Sequence, residues 1–316
     1  MQSIKGEDFT MKAFGYDHNG GPDVFQEYDV PTPTLKDTDI LIETKAFGLN
    51  NFERSQRAGL FGETTKQIIP GRDVAGIVKE VGSAVTKFKP GDRVVAHGHH
   101  AYSEFATSSE ANTVIIPDNV TFENAAAIVT TGVTAYKGLH FFGKAKPGQT
   151  VIVKGASGGV GSLTAQLALG LGDEVIGIGS SKNEDYVKSL GITQYVAYDK
   201  QTPAEVLKDK ADLVVNSAMN GASSDEDVAM VKPGGIVASV AHDEPSSDKD
   251  VQFNHIAPTS EVSDVEALQT IMDLMAKEKL SIKVGYVLPF SAAGVVKGHS
   301  ILEERHDGRV IISREA

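Results

Sequence analysis

The octapeptide Lys154-Gly155-Ala156-Ser157-Gly158-Gly159-Val160-Gly161 stands between an apolar run, Thr150-Val151-Ile152-Val153, and a stretch of helical spacing that begins at Ser162. Few features limit a fold as sharply. A glycine-rich turn that leaves a strand and opens a helix presents bare backbone amides at the positive end of the helix dipole, where an anion is favoured. In a dinucleotide fingerprint three small positions divide the work between a tight turn, close approach to the pyrophosphate and close packing of helix on strand. Ala156, Gly158 and Gly161 fall on those positions, with Gly155 and Gly159 adding backbone freedom beside them and Ser157 and Val160 completing the turn. Downstream, Val160, Leu163, Thr164, Leu167, Ala168 and Leu171 recur at helical spacing, which gives one face for packing on a sheet. A nucleoside-triphosphate loop does not fit, because Ser162 stands where its lysine belongs. The remaining alternative is a purely structural turn.

The surroundings agree with a sheet covered on both faces. From about residue 122 helical stretches alternate with Val- and Ile-rich strand candidates at "DEVIGIG", "QYVAY", "ADLVVNSA", "GGIVASV" and "VQFNHIA". Such a rhythm predicts a doubly wound α/β domain with a parallel sheet. "TFENAAAIVTTGVTAYKGLHFF" reads as helical ahead of its first strand. The first ~120 residues instead read as short strands divided by turn residues, as in "MKAFGYD", "DILIETKAF", "DVAGIVKEVG", "GDRVVAH" and "YSEFATSS", which predicts a β-barrel-like domain. After "SDVEALQTIMDLMAKEKL", the segments "VGYVLPF" and "GRVIIS" look like a return to it. The expected boundaries are 1–121 with 285–316 for the barrel and 122–284 for the α/β domain. The ten residues before Met11 are expected to be a flexible leader.

The strand after the phosphate turn decides which dinucleotide fits. An NAD site ends this strand with an acid that holds the ribose hydroxyls. Here the chain reads Gly179-Ser180-Ser181-Lys182, two hydroxyls and an ammonium with no carboxylate to repel a ribose phosphate, so NADPH is the expected cofactor. A solvated Ser-Lys turn is the alternative. The formal net charge of −12 argues against nucleic acid or an anionic membrane as partner, and requires any anionic ligand to meet a local cationic pocket. With no cysteine, the chain forms neither disulfides nor thiolate metal sites, and a cytoplasmic location is expected. As a separate expectation, the chain forms a homodimer.

"GGPDVFQ", "KAFGLNNFERSQRAG", "IPGRDVAGIVKEVGSAVTKFKPGDRV", "GASGGVG", the Ala-Tyr of "VAYDK" and the closing "ILEERHDGRVIIS" together carry a resemblance. From Met11 onward the chain resembles the zinc-free medium-chain dehydrogenase/reductases of the quinone oxidoreductase, zeta-crystallin-like, type. The resemblance implies a GroES-like barrel interrupted by a Rossmann domain, with the active site in the cleft between them. It implies that Tyr198 and Lys182 flank the adenosine phosphate and that Ser217 and the turn Ser239-Val240-Ala241-His242 lie along the nicotinamide half. It further implies that Thr134 approaches the cofactor, as do Asn51 and Thr130, and that Arg309 reaches back from the last strand. Other readings are a half-buried strand-end aromatic for Tyr198, a surface charge near Asp307 for Arg309 and a plain strand end for Ser217. The relatives often place an aromatic hydroxyl where this chain has Ser55, which puts quinone as the natural acceptor in question.

Zinc-dependent members of the superfamily hold their metal through Cys, His and Cys, and the matching positions here are Asn50, Arg72 and Thr130. Those side chains do not make a zinc site, so a metal-free reaction is expected. His97, His99 and His100 form the one histidine-rich spot and read as a polar loop, with a stray metal as the alternative. Without a Lewis acid, a ketone oxygen would meet only neutral donors, so an acceptor that spreads its own charge, a quinone or an α,β-unsaturated carbonyl, is favoured. Asn50 is the expected positioning or donor group; its alternative role is to fix the loop after a strand. Two further functions stay open: reduction of an enoyl thioester, and a non-catalytic NADPH-binding redox sensor.

Overall fold

The computed structural model describes residues 10–218 and 223–316. The expected leader lies outside these residues except for Thr10, where the first strand begins. The chain divides into two compact units, one made of Met1–Thr130, Leu268–Lys277 and Lys283–Ala316, the other of Thr131–Ala267 and Glu278–Ile282.

The first unit opens with β1 (Thr10–Gly15), paired antiparallel with β2 (Gln26–Pro31). Then follow β3 (Asp39–Gly48), α1 (Asn51–Arg57), β4 (Asp73–Val81), β5 (Arg93–His97), β6 (Phe105–Ser109) and β7 (Thr113–Ile115). β3 explains its own mixed pattern of apolar and polar residues. One edge pairs with β4 along most of its length, while the other is shared by β6 at Asp39–Glu43 and by the last strand at Ala46–Gly48. Ile40, Leu41 and Ile42 are therefore all buried, as a strand covered on both faces requires.

The sequence predicts one long helical stretch before the α/β sheet, and the structure breaks it. α2 (Phe122–Ala127) stops at Ile128, α3 (Val129–Lys137) restarts, and a π turn over Gly138–Phe142 ends it. The physical reason lies in Asp73: its carboxylate accepts the Thr130 amide at 3.2 Å, giving an early amide of α3 an acceptor outside the helix. The division between units falls at Thr130, so α2 counts with the barrel, whereas the change of rhythm places the boundary near residue 122.

In the second unit β8 (Thr150–Lys154), α4 (Gly159–Gly170), β9 (Glu174–Gly179), α5 (Glu184–Ser189), β10 (Gln194–Ala197), α6 (Pro203–Val206), β11 (Ala211–Asn216), α7 (Ser224–Met230), β12 (Val231–Ser239) and β13 (Gln252–His255) alternate. All of its strand pairs are parallel, in the order β10-β9-β8-β11-β12-β13, the doubly wound arrangement with its switch point beside β8. Ile152, Ile176, Ile178, Val214 and Val237 fill the core. After α8 (Asp264–Ala276), β14 (Val284–Pro289), α9 (Ala292–Leu302) and β15 (Arg309–Ser313) rejoin the first unit, with β15 inserted between β14 and β3. Val310 and Ile312 there pack with Phe14, Tyr16, Ile40, Phe47 and Tyr102.

Candidate functional site

The glycine-rich turn is built as a phosphate cradle, with one reassignment. Gly155, not Ala156, makes the tight turn: its φ is +78°, a backbone state open to glycine, while Ala156 is fully buried. The amides of Gly155 and Ala156 both donate to the Ile178 carbonyl, tying the turn to β9. A Cβ at Gly161 would run into the Gly155 carbonyl oxygen, so this glycine lets α4 lie close against β8. Gly158 caps α4 without a side chain, and no side-chain bond covers the first amides of the helix, at Gly159 and Val160. Ser157 Oγ accepts from Asn183 at 2.9 Å.

The ribose end of the unit corrects one premise. A carboxylate is present after all, coming from the turn after β10 and not from the end of β9. Asp199 accepts from the Ser181 amide at 2.7 Å and from its hydroxyl at 2.6 Å, and these bonds hold the Asp199 carboxyl below its usual range. Ser181 is thereby fixed. Ser180 Oγ is buried with no hydrogen-bond partner among the described residues, Lys182 is exposed, and Tyr198 is half-exposed with its amide bound to the Gly179 carbonyl. An orphaned hydroxyl, an ammonium and an open helix terminus fit a phosphorylated dinucleotide.

On the β11 side Ser217 turns its hydroxyl back to the Lys154 carbonyl at 2.7 Å. The loop owes its position to groups that sequence reading missed. Lys154 is buried and pairs with Glu226 and, at 3.0 Å, with Asp227, whose other oxygen takes Asn216 Nδ2 at 2.6 Å. Burial opposes the lysine's charge, yet the two acids outweigh it and raise its pKa. Asn216 Oδ1 in turn accepts the Ala218 amide at 2.9 Å. Ser239 is fully buried and accepts the Ala241 amide, Val240 donates its amide to the Asn216 carbonyl, and His242 is exposed. Thr134 lies half-buried on α3.

In the barrel unit two of the three positions matching zinc ligands, Asn50 and Thr130, organise around a fourth residue, Asp73. Thr130 Oγ1 donates to Asp73 Oδ1 at 2.5 Å and Asn50 Nδ2 to Asp73 Oδ2 at 3.0 Å. Arg309 donates to Asn50 Oδ1 at 2.6 Å and to the Ala127 carbonyl at 3.1 Å, and lies 3.6 Å from Asp73. It is no surface charge: burial lowers its pKa, and Asp73 and Glu53 resist that. Asn50 is buried and stands at the N-cap of α1 without a side-chain capping bond, its amide tied to Asp73 and Arg309. Asn51, the first residue of α1, is exposed. Glu53, on the same helix, is 1% exposed; burial first, then the neighbouring Asp73 charge, push its carboxyl up to about 7.

Arg72, the third of these positions, is held differently. Its guanidinium lies 3.7 Å from the centroid of the Phe52 ring, and Phe52 stacks on Phe61 at 5.1 Å. His100, by contrast, is turned to the Ile69 carbonyl at 2.7 Å, and among the described residues no three His, Asp or Glu side chains gather as a metal-holding group. A guanidinium, an amide already bonded at both ends and a hydroxyl already bonded to Asp73 do not fit a zinc ion.

A barrel unit joined to a parallel sheet of this order, whose first turn is shaped for a pyrophosphate, defines the class of dinucleotide-fold dehydrogenases and reductases. Residues 36–139 match the alcohol dehydrogenase GroES-like domain and residues 159–267 the zinc-binding dehydrogenase domain. A 2-methylene-furan-3-one reductase of Solanum lycopersicum is 32% identical over 96% of the chain and 79% of its own length. The quinone oxidoreductase of Rattus norvegicus is 32% identical over 73% of each chain. A mycobacterial structure complexed with NADPH superposes with a TM-score of 0.83 at 26% identity, covering 96% of this chain and 100% of the other. The chain belongs to the medium-chain dehydrogenase/reductase family.

Proposed function

We propose that the protein is an NADPH-dependent reductase that passes a hydride, without zinc, to a quinone or an α,β-unsaturated carbonyl. The observation that carries this reading is the Asn50–Asp73–Thr130 cluster: hydrogen-bonded to itself at the positions where zinc ligands would stand, it offers no metal donor set. A simple ketone then has no Lewis acid, and a conjugated acceptor is favoured because it delocalises the charge it receives. The names of the tomato and rat relatives point the same way.

NADPH, when bound, supplies the hydride. The residues assigned to hold it are Gly155 to Gly161 for the pyrophosphate, and Gly179, Ser180, Ser181, Lys182 and Tyr198 for the adenosine phosphate. Ser217, Ser239 to His242, Thr134 and Asn51 are assigned to the nicotinamide half. The open start of α4 and the orphaned Ser180 hydroxyl support the first two assignments. Thr130 and Arg309 are assigned to the barrel cluster, where their hydrogen bonds already hold Asn50 and Asp73 in place. Asn50, gripped from both sides, presents a fixed amide and positions the acceptor.

The test is NADPH oxidation measured side by side with a benzoquinone, a medium-chain enone, an enoyl-CoA, a saturated aldehyde and a saturated ketone. Benzoquinone and the enone are expected to turn over fastest. Fastest turnover of the saturated carbonyls overturns the reading, preference for the thioester moves it to an enoyl reductase, and NADPH binding without any turnover makes the protein a sensor. A cytoplasmic homodimer belongs to the same proposal, supported in its compartment by the absence of cysteine. Sedimentation velocity measures the assembly.

A further inference from the structure

Arg54, Arg57, Arg93, Arg309 and Arg314 all give guanidinium hydrogens to carbonyl or carboxylate oxygens. Arg72 does not. It is half-buried at the entry to β4, its backbone carbonyl anchored by the Gly98 amide at 2.7 Å, and among the described residues its side chain has no hydrogen bond and no ion pair. The nearest acid in sequence, Asp73, is taken up by Thr130, Asn50 and Arg309. What holds the Arg72 group is Phe52, two residues past Asn50 on α1, over whose ring the guanidinium carbon lies 3.7 Å from the centroid, and Phe52 stacks in turn on Phe61. A guanidinium lying on a ring keeps its N–H edges in its own plane, free for an oxygen approaching from the side. A half-buried cation with no hydrogen bond or ion pair among the described residues, close enough to Glu53 to oppose the rise of its pKa, is in a chain of net charge −12 a charge available to a ligand.

We infer that Arg72 hydrogen-bonds the carbonyl oxygen of the acceptor and stabilises the negative charge that develops there, the office a metal would fill in a zinc enzyme. This rests on the proposed reading of the chain as a reductase of conjugated carbonyls. In the enone case the β-carbon gains a C–H bond from the hydride, the alkene pair shifts toward the carbonyl, and the oxygen takes the charge as an enolate. The α-carbon then takes a proton from water, the product is the saturated carbonyl, and the nicotinamide cofactor is the species oxidised. Phe52 positions Arg72 throughout.

The experiment needs no turnover for its first readout. 4-Nitrophenol, a planar ring with an ionisable oxygen, is titrated from its phenolate absorbance in the presence of wild type, Arg72→Met, Arg72→Lys and Phe52→Leu. Wild type is expected to lower the pKa of the bound phenol by about one, as a neighbouring cation does, Arg72→Met to abolish the shift, Arg72→Lys to keep part of it and Phe52→Leu to weaken it. In turnover, a weakly electrophilic enone is expected to lose roughly 10²-fold in kcat in Arg72→Met while benzoquinone, which needs less help, loses roughly fivefold or less, with the NADPH Kd unchanged. Equal losses for both acceptors, no phenolate shift in wild type, or a raised NADPH Kd with unchanged acceptor kinetics would each overturn the assignment. A wild type that reduces no conjugated acceptor overturns the functional reading, and the phenolate shift then judges Arg72 by itself. Melting temperatures separate a misfolded variant from a discharged one, and Phe52→Leu, which leaves the cation in the chain, stands in if Arg72→Met fails to fold.

Discussion

Lys182 and Asp199 place opposite charges around Ser181, and their removal should move cofactor choice in opposite directions. Lys182→Ala should weaken NADPH by about 1.5 kcal/mol, the low end for a charge-assisted hydrogen bond because the side chain is exposed, and leave NADH nearly unchanged. Asp199→Asn, which keeps an acceptor for Ser181 while removing the charge, should tighten NADPH relative to NADH; paired fluorescence titrations read both. Glu53 makes a different kind of prediction. Its carboxyl sits at about 7 in the folded chain against an ordinary 4.5. Below the ordinary value both states hold the proton; between the two values only the folded state does; above both, neither. Folding stability therefore falls as pH rises from about 4.5 to about 7 and then levels off, by on the order of 3 kcal/mol. Glu53→Gln should flatten this slope in urea titrations across pH 4–8. None of these acids is announced by a motif: Asp199 reaches Ser181 from across the sheet edge, and Glu53 and Asp73 matter through burial, which a linear reading of "NNFERS" or "GRDVAG" does not contain.

α4 depends on its closeness to β8, and Gly161 sets that distance. Gly161→Ala must push the helix away from the Gly155 carbonyl, costing about 1–3 kcal/mol of stability and misaligning the amides at the helix start. A lower melting temperature together with at least tenfold weaker NADPH is expected from calorimetry; tight binding with normal melting would show that the turn does not hold the cofactor. At this scale the sequence was mostly readable. β8, β9 and β11 carry apolar runs rich in Val, Ile and Leu that a sheet covered on both faces buries, and the Gly155–Gly161 segment marks strand end and helix start within a few residues. What escaped depends on distant partners. The break at Ile128 exists because Asp73, far upstream, takes the Thr130 amide, and the tight turn passed to Gly155 because Ala156 is needed as buried packing.

For the molecule as a whole, the net charge of −12 opposes the approach of a polyanionic cofactor even though the local turn welcomes it. Stopped-flow association of NADPH should accelerate severalfold between about 10 and 150 mM salt, as screening shortens the repulsive field. Exhaustive chelation should leave turnover unchanged, since Asn50 and Thr130 are committed to Asp73 and Arg309 and Arg72 brings a guanidinium where a metal ligand would stand; activity lost on chelation and restored by zinc would mean that another donor set operates. The insertion of β15 beside β3 bears on how the protein is made. Arg309 meets Asn50 across a sequence separation of 259, and β3 lacks its neighbour at Ala46–Gly48 until β15 exists. On the ribosome the α/β unit has all its strands well before that point, whereas the first unit must wait with an unpaired strand edge and an Asn50 whose Oδ1 lacks Arg309. Nascent chains stalled before residue 309 should thus hold a protease-resistant nucleotide fold attached to a still-cleavable N-terminal segment, and the hydrogen-bonded cluster around Asn50 is the last thing translation completes.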